Sequence, residues 1–359
     1  MSTSPTTARA RPGTGLARLL DACRRRQADA TPVWYMRQAG SVLPGYRALR
    51  ERYSVLEIAK TPELCAAVSL MPVREFGVDG AVMFADIMLP LERMGLRIEL
   101  LQTGPAIDNP VRTVGDIARL RVIEPREDVP FVLEAIRAVK RELDGRQAVI
   151  GFSGAPFTLA CYMIEGGPSR EFGRAKGLMY REPEAWDQLM AKVTATVTRY
   201  LLAQVDAGAD VIQLFDSWVG ALNPDDYARY AQPYVRSIFA ALKATGVPTI
   251  HFGTSAATLL ESLRDAGGDV ISVDARLPLD AAWARIGHDR GIQGNLDGAR
   301  LLAGWEATEA GARDVLDRAA GRPGHVFNLG HGMLPDSDPD LLRHLAAYVH
   351  ETTSEVTSG

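Results

Sequence analysis

The sequence predicts an α/β fold, a single (β/α)8 barrel of the TIM type with an N-terminal helical and arginine-loop extension. Short apolar runs, each ending on a polar residue or glycine, alternate with segments of helical periodicity about eight times. Such runs are typical of parallel strands covered on both faces, and their alternation with helices favours a closed barrel. An open doubly wound sheet is the alternative, but no glycine-rich nucleotide loop follows the first predicted strand.

Helical patterns in the N-terminal part form the predicted extension. Apolar residues at helical spacing predict a helix over 16–26. A second helix is predicted to begin with Thr61 as its cap and Pro62 at its first position. It should bend at Pro72 and end at Gly77, because proline and glycine interrupt helices.

The segment 32–52 is the predicted arginine loop. It carries Arg37, Arg47, Arg50 and Arg52 in a chain that is acidic overall. Arg37 and Gln38 follow the apolar run 33–36, so packing should hold them in place. An arginine held in this way usually binds a carboxylate or phosphate, which indicates a small anionic ligand. The structural alternative is a helix with a solvated basic face.

Eight segments are predicted as barrel strands, and seven of them are short apolar runs. The first finishes on Asp86, a carboxylate at the C-terminal edge of the sheet. The segment 97–101 brings the number to the eight that a barrel needs. The predicted strands cover 79–86, 97–101, 147–153, 210–217, 248–254, 269–274, 291–295 and 325–330.

Helical patterns separate the later strands. Apolar residues over 186–205 recur at helical spacing and Gly208 closes the pattern. Asn223 and Pro224 are typical of the start of another helix. Two more helices are predicted over 257–263 and 341–349.

Composition limits the classes of partner. With 47% hydrophobic residues the chain can bury a large core, and its net charge of −4 argues against nucleic acid as the main partner. No apolar run approaches the length of a membrane span. Three widely spaced cysteines fit neither a disulfide framework nor a zinc motif, which favours a reducing, cytoplasmic location. We expect one domain over 15–351, with disordered tails over 1–14 and 352–359.

Catalytic groups of such a barrel lie at the C-terminal ends of its strands. The polar residues at those ends are Asp86, Ser153, Ser217, His251, Asp274, Asn295 and His331. Asp86 is the strongest candidate, because a carboxylate after an apolar run loses hydration unless a cation or donor approaches it. Asp274 could instead cap a helix, His251 could be a core histidine and Asn295 could close a turn. His331 lies between two glycines, which we interpret as open space around it.

Five longer stretches carry a resemblance to a known family. They are PVWYMRQAG at 32–40, GFSGAPFTLACYMIEGGPS at 151–169, LFDSWVGALNP at 214–224, GIQGNLD at 291–297 and FNLGHGMLPD at 327–336. Over about 15–350 the sequence resembles the uroporphyrinogen decarboxylase family of haem biosynthesis. The resemblance implies conversion of the four acetates of uroporphyrinogen III to methyls, giving coproporphyrinogen III and CO2. It also implies a homodimer that needs neither metal nor organic cofactor.

The same resemblance implies roles for individual residues. The implied catalytic residues are Arg37, Asp86, Tyr162 and His331. Further substrate contacts are implied for Gln38, Ala39, Arg50 and Ser217. Arg37 would lie over the cleft near the reacting acetate, and Asp86 would accept the pyrrole N–H groups.

Position 41 departs from the family pattern, which has a second arginine after RQAG where this chain has Ser41. Losing one charge-assisted hydrogen bond costs roughly 1.5 to 3 kcal/mol. Either Arg47 or Arg50 replaces that contact, or the protein is a catalytically altered paralogue or a tetrapyrrole-binding protein. The first outcome is favoured because the other implied site residues are present.

Zinc-dependent, corrinoid-linked methyltransferases share the barrel and form a rival class. They need a histidine and two cysteines as zinc ligands. His251 has no cysteine two residues further on, and no cysteine follows Cys161. The sequence therefore disfavours this class.

Overall fold

A curled parallel sheet forms the centre of the protein. The computed structural model describes residues 11–101 and 104–354, without the side chain of Leu101. Its strands are β1 (Gly80–Val82), β2 (Ile98–Leu101), β3 (Gly104–Ile107), β4 (Ala148–Gly154), β5 (Val211–Asp216), β6 (Thr249–Gly253), β7 (Val270–Ser272), β8 (Gly291–Leu296) and β9 (His325–Leu329). Seven of these strands pair in the order β1-β4-β5-β6-β7-β8-β9, and every neighbouring pair is parallel.

Helices pack on the outside of this sheet. Those before β4 are α1 (Gly15–Cys23), α2 (Pro44–Arg50), α3 (Val55–Lys60), α4 (Pro62–Phe76), α5 (Leu89–Arg93), α6 (Val114–Arg119), α7 (Pro125–Asp128) and α8 (Pro130–Leu143). Those after it are α9 (Pro156–Glu165), α10 (Gly173–Arg181), α11 (Pro183–Ala207), α12 (Pro224–Tyr230), α13 (Gln232–Lys243), α14 (Leu260–Ala266), α15 (Leu279–Ile286), α16 (Trp305–Ala319) and α17 (Pro339–Ser354). Short 3₁₀ helices cover Val219–Ala221 and Gly298–Ala303.

The segment around Val33 lies between the two edge strands, β9 and β1. Val33 forms a parallel bridge with Phe327 of β9, whose N–H donates to Pro32 O at 2.9 Å. On the other side, Asp79 N donates to Val33 O at 2.8 Å, just before β1. This segment therefore takes the eighth strand position and closes the barrel, and the predicted (β/α)8 class is confirmed.

The prediction of a barrel strand over 97–101 is wrong. β2 pairs antiparallel with β3 in a separate two-stranded sheet. Asn109 closes the base of this hairpin, since its Oδ1 accepts from Arg97 N at 2.7 Å and its Nδ2 donates to Gly95 O at 3.0 Å. Arg97 and Glu99 alternate with Ile98 and Leu100, a pattern typical of a half-exposed antiparallel strand, and pairing with the next segment of the chain closes a much shorter loop.

Helix boundaries predicted from capping residues are confirmed, although the Thr61 side chain makes no capping bond and donates to Glu57 O at 2.8 Å instead. α4 begins at Pro62 and ends before Gly77, which has a left-handed φ of +71°. α11 likewise ends before Gly208. α12 follows Asn223, whose side chain accepts from Asp226 N. Capping acts through local backbone chemistry, so it can be read without knowing the fold.

Boundaries predicted from periodicity alone are less accurate. The helix predicted over 16–26 covers Gly15–Cys23, and the one predicted over 257–263 covers Leu260–Ala266. The first helix ends three residues before its predicted end, and the second is shifted by three residues toward the C-terminus, because periodicity does not define where a helix starts or stops.

The predicted tails are partly incorrect. α17 continues three residues past the predicted boundary at 351, and Thr353 Oγ1 in its last turn accepts from Thr31 N at 2.9 Å. This bond explains the longer helix. Thr14, predicted within the N-terminal tail, caps α1 with its side chain. The remaining predicted tail residues, 1–10 and 355–359, lie outside the described residues.

A chain of polar side chains crosses the barrel interior. Gln293 of β8 donates through Nε2 to Ser272 Oγ at 2.8 Å and to Gln213 Oε1 at 3.0 Å. Its Oε1 accepts from Trp34 Nε1 at 2.9 Å. Because these groups are buried, such bonds are needed to offset the loss of water. They anchor Trp34, and with it the arginine loop, to the barrel.

Asp79, which is 3% exposed, joins the closing segment to two helices. Its Oδ2 accepts from Val33 N at 2.7 Å and from His350 Nε2 of α17 at 2.7 Å. Its Oδ1 accepts from Arg18 Nη1 of α1 at 3.3 Å. One carboxylate therefore holds three segments that are far apart in the sequence.

Candidate active site

The four residues predicted as catalytic come from separate elements and meet at the C-terminal end of the barrel. Asp86 lies in the loop after β1, Tyr162 in α9 and His331 in the loop after β9. The charge of Arg37 acts on the pKa of all three of these groups. A barrel of this type places its chemistry at this face.

Arg37 has an unusual backbone, with a left-handed φ of +59°. Its neighbours hold this conformation, because Met36 N donates to Asn328 Oδ1 at 3.0 Å and Met333 N donates to Met36 O at 3.0 Å. The side chain then crosses Gly332, where a Cβ would lie 2.5 Å from Arg37 Cδ. A non-glycine residue adopts such a conformation when its surroundings require it, which fits a positioned functional group.

Gln38 is fully buried beside Arg37. Its Oε1 accepts from Tyr35 N at 3.0 Å and its Nε2 donates to Gly80 O of β1 at 2.8 Å. These bonds tie the arginine loop to the first barrel strand. The geometry gives the side chain a positioning role, and a direct substrate contact through Gln38 stays a prediction.

Asp86 is a partly exposed carboxyl in the turn after β1. Its Oδ1 accepts from Met88 N at 2.8 Å. Burial raises the pKa of Asp86, while the Met88 N–H and the charge of Arg37 oppose that rise. A desolvated carboxylate with one oxygen already oriented is well suited to accept donors from a ligand.

Tyr162 reaches the same cleft from α9. Its ring packs against Trp218 at a centroid distance of 5.5 Å, and Trp218 packs against Phe172 at 5.1 Å. Burial, and then the charge of Asp86, raise the pKa of Tyr162 to about 12, although Arg37 opposes the shift. The phenol is therefore neutral at physiological pH and can donate a hydrogen bond.

Ser217 is the first residue after β5, and a buried network supports its turn. Thr158 of α9 donates from Oγ1 to Asp216 Oδ1 at 2.9 Å. The same Oγ1 accepts from Trp218 N at 3.1 Å. Sequence reasoning selected Ser217 and missed Thr158 and Asp216, because periodicity does not show which of two adjacent polar residues faces the cleft.

Asp216 is fully buried, and its Oδ2 has no hydrogen-bond partner among the described residues. Burial raises its pKa to about 7, although the bond from Thr158 opposes the shift. Cys161 and Tyr227 are the other titratable groups that it influences. Near neutral pH the carboxyl is therefore divided between its protonated and ionised forms.

Asp216→Asn is expected to flatten the pH dependence of stability. A carboxyl whose pKa is higher in the folded state than in the unfolded state stabilises the folded protein at low pH. This stabilisation is lost as the pH rises through the folded-state pKa of about 7. The wild type should lose about 2–3 kcal/mol from this group between about pH 5 and pH 8, and asparagine should lose none. Urea unfolding at both pH values measures the difference. Asp225→Asn, at an exposed position, is the control, and an equal pH dependence in Asp216→Asn and the wild type would contradict the prediction.

His331 is exposed in the loop after β9. Partial desolvation and then the charges of Arg37 and Arg276 lower its pKa, while Asp274 opposes this. The imidazole is therefore largely neutral at physiological pH. Its exposure agrees with a place in the cleft.

The predicted room around His331 is present, since the side chain is exposed, but the flanking glycines do not create it. A Cβ at Gly330 would lie 2.4 Å from Ala275 N, and one at Gly332 would lie 2.5 Å from Arg37 Cδ. Both glycines permit close packing. They bring the loop after β7 and the arginine loop against the histidine.

The remaining strand-end candidates have structural contacts. Ser153 Oγ donates to Gly154 O at 3.1 Å. His251 lies within β6, fully buried, with Nδ1 3.2 Å from Leu263 O, and burial lowers its pKa to about 4. Asn295 closes a turn by donating to the carbonyl oxygens of Asp274 and Leu277 at 2.9 and 2.8 Å. For His251 and Asn295 these contacts are the structural alternatives considered from the sequence.

Two further features concern only residues 11–101 and 104–354. No helix in this part of the chain combines the length and hydropathy needed to cross a membrane. Within the same residues, histidine, cysteine and acidic side chains form no group of three or more suited to a metal ion. The three cysteines are free and buried.

The whole barrel and its cleft can be compared with known proteins. A family model described as "Uroporphyrinogen decarboxylase (URO-D)" matches residues 14–352. The chain belongs to the uroporphyrinogen decarboxylase family. A uroporphyrinogen decarboxylase of Roseiflexus sp. (strain RS-1) is 53% identical over 345 residues, which cover 94% of this chain and 99% of that protein. One from Sorangium cellulosum (strain So ce56) is 54% identical over 334 residues, which cover 93% and 95%. The resemblance found in the sequence is confirmed.

A solved structure supports the fold alone. A methyltransferase from Methanosarcina mazei superposes with a TM-score of 0.82 at 20% identity, covering 94% of this chain and 99% of that chain. At this identity the likeness extends to the barrel and not to the chemistry.

Ser41 stands where the resemblance predicts a second arginine. Ser41 is exposed, and Arg47 Nη1 donates to the carbonyl oxygens of Ser41 and Val42 at 2.9 and 3.1 Å. Arg50 Nη1 donates to Tyr53 O. Both arginines proposed as replacements are thus engaged with their own loop. A substrate contact of Arg50 stays a prediction. The same holds for Ala39, which lies two residues before Ser41 and is partly buried.

Proposed function

We propose that the protein converts uroporphyrinogen III to coproporphyrinogen III with release of four CO2, within haem biosynthesis. The observation that carries this proposal is the Asp86 carboxylate at the C-terminal face of the barrel. It is desolvated, and the positive charge of Arg37 acts on its pKa. Family membership over residues 14–352 supports the same reaction. The catalytic domain is taken to be the single barrel over 15–351.

The chemistry needs an electron sink for each acetate. Protonation of a pyrrole carbon makes the ring cationic. The bond between the acetate methylene and its carboxylate then breaks, CO2 leaves, and the electron pair neutralises the ring as an exocyclic methylene. Protonation of that methylene and loss of the first proton from the ring give the methyl group. The substrate itself therefore takes the role of an organic cofactor.

Asp86 is assigned the stabilisation of this cation. Its carboxylate accepts the pyrrole N–H groups and offsets the positive charge that develops on the ring. Met88 N already orients one oxygen, so little reorganisation accompanies the reaction. Preorganised charge of this kind is usually the largest single contribution to an enzyme's rate.

The other groups are assigned to orientation. Arg37 binds the reacting acetate, and its constrained backbone supports a defined direction for the guanidinium. Neutral Tyr162 and His331 offer hydrogen bonds without adding charge to the cleft. Ser217 lines the wall next to Trp218, and Gln38 holds the loop that carries Arg37.

The test is anaerobic incubation of the purified protein with uroporphyrinogen III, followed by oxidation and chromatographic counting of carboxyls in each product. A progression from eight carboxyls to four supports the proposal. Accumulation at seven, or no loss at all, would contradict it and favour the altered-paralogue hypothesis. Prior dialysis against a chelator tests independence from a metal.

Ser41→Arg is expected to leave kcat/KM unchanged or to raise it by up to about tenfold, the effect of one added charge-assisted hydrogen bond. Position 41 is exposed, so a longer side chain meets no packing constraint. Ser41→Gln, whose longer side chain can donate a hydrogen bond without carrying a charge, is the control. Lower activity in the arginine variant alone would show that the loop is shaped for another arrangement.

The proposal includes a homodimer in the cytoplasm. Light scattering tests the assembly, since a dimer has twice the mass of the 39.0 kDa chain. A monomer that retains full activity would remove the homodimer from the proposal without affecting the reaction.

A further inference from the structure

The loop after β7 presents a constrained guanidinium beside the cleft. Arg276 Nη1 donates to Asp274 Oδ2 at 2.8 Å and to Ser255 Oγ at 2.7 Å. The arginine side chain is nevertheless 64% exposed. Its Nε and Nη2 make no hydrogen bond to a described residue, so two donors of the fork remain available.

Asp274 fixes the position of the Arg276 guanidinium through a hydrogen bond. The carboxylate is only 8% exposed and accepts from Ser255 N at 2.6 Å and from Arg276 N at 3.0 Å. Ser255 itself has a left-handed φ of +55°. A carboxylate with this many donors is already satisfied, and its main effect is to fix the direction of the arginine.

Arg276 also lies close to the candidate catalytic residues. A Cβ at Gly330 would lie 2.4 Å from Ala275 N, so the loop after β7 packs directly on the loop that carries His331. The charge of Arg276 acts on the pKa of His331 in the same sense as that of Arg37. Gly330 and Gly332 thus bring the loops of two arginines that are far apart in the sequence against the loop of one histidine.

The other two arginines considered for this task also have Nε and Nη2 atoms without a hydrogen bond to a described residue, but their Nη1 atoms bind backbone carbonyls of their own loop. Arg47 donates to the backbone of Ser41 and Val42, and Arg50 donates to the backbone of Tyr53. Arg276 alone among these three is held by a nearly buried side-chain carboxylate next to a candidate catalytic residue.

We propose that Arg276 is a substrate-binding residue that holds a peripheral carboxylate of the tetrapyrrole beside His331. The proposal deepens the proposed function and rests on it. A substrate with eight carboxylates needs several cationic anchors, and an arginine with two free donors can bind a carboxylate through parallel hydrogen bonds. Arg276 thereby contributes positive charge that Ser41 does not supply.

The test separates binding from chemistry by measuring kcat and KM for uroporphyrinogen III with purified variants. Arg276→Ala is expected to raise KM by about tenfold or more, the effect of one charged hydrogen bond, while kcat changes by less than about twofold. Arg276→Lys should recover part of the loss, because it keeps the charge without the planar fork. A structural role alone would not produce this division between KM and kcat.

Arg313→Ala is the matched control, because Arg313 is 61% exposed and paired with Glu309 on α16, outside the cleft. Its KM should equal that of the wild type. Equal thermal stability of Arg276→Ala and wild type would establish that the fold is intact. An active wild type with unchanged KM in Arg276→Ala would overturn the role of Arg276 alone. An inactive wild type would overturn the proposed function itself.

Discussion

Asp86→Asn is expected to lower kcat by about 10²–10³, the effect of removing one preorganised electrostatic group from an active site. Asparagine keeps the shape of the side chain and can still accept from Met88 N through Oδ1. It removes the charge that offsets the cationic ring. Anaerobic turnover of uroporphyrinogen III, measured together with thermal stability, tests this expectation.

Asp297→Asn is the matched control for Asp86. Asp297 Oδ1 accepts from Ala299 N at 3.0 Å, which reproduces the local hydrogen bond of Asp86 at an exposed carboxyl. Its activity should equal that of the wild type. A near wild-type rate for Asp86→Asn would remove this carboxylate from the mechanism.

The raised pKa of Asp86 also predicts the acid side of the activity profile. The ionised form is the active one, so wild-type activity should fall at a pH above the ordinary range of an aspartate. A profile that stays flat down to that ordinary range would show that ionised Asp86 does not limit the rate.

Asp79→Ala is expected to lower the free energy of unfolding by about 3–5 kcal/mol, as is usual when one partner of a buried ion pair is removed. The change leaves Val33 N, Arg18 and His350 without their shared acceptor. The segment around Val33, which closes the barrel, then loses the hydrogen bond from Val33 N to the Asp79 side chain just before β1. Urea unfolding monitored by circular dichroism gives the free energy.

Asp29→Ala tests whether this loss is specific to the buried position. Asp29 is 44% exposed and pairs with the same arginine at 2.7 Å. An exposed ion pair contributes about 0–1 kcal/mol, so this variant should be nearly as stable as the wild type. Equal losses in both variants would show that Asp79 does not hold the barrel closed.

Much of the architecture could be predicted because it depends on local patterns. The buried strands β4, β5 and β6 appear as short apolar runs, and Gly77 and Gly208 end their helices through backbone conformation. The segment 97–101 differs, because Arg97 and Glu99 alternate with Ile98 and Leu100, and its partner strand follows at once along the chain. The pattern of one strand says nothing about which strand pairs with it.

The closure of the barrel was not predicted. Val33 was interpreted as part of an apolar run that positions Arg37, whereas it also pairs with β9 and with the start of β1. A single bridge is too short to produce a strand pattern. Its position depends on contacts with residues that are distant in the sequence.

For the candidate site, the sequence shows which residues are chemically reactive, but it does not show the burial and contacts of each side chain. Asp86 stood out as a carboxylate after an apolar run, while Asp216 did not, although it is the more deeply buried of the two. Arg276 was also missed. Its importance depends on Asp274 and Ser255, and on the packing of its loop against Gly330.

The sequence by itself therefore determined the barrel class, the helix ends at capping residues, the family and the list of reactive groups. Each of these depends on residue identity and on interactions over a few positions. Only the tertiary structure decided which segment closes the barrel, which arginines are engaged with their own loops and which carboxyls are desolvated. Those properties arise from burial and from contacts between distant segments, and the folded chain alone brings such segments together.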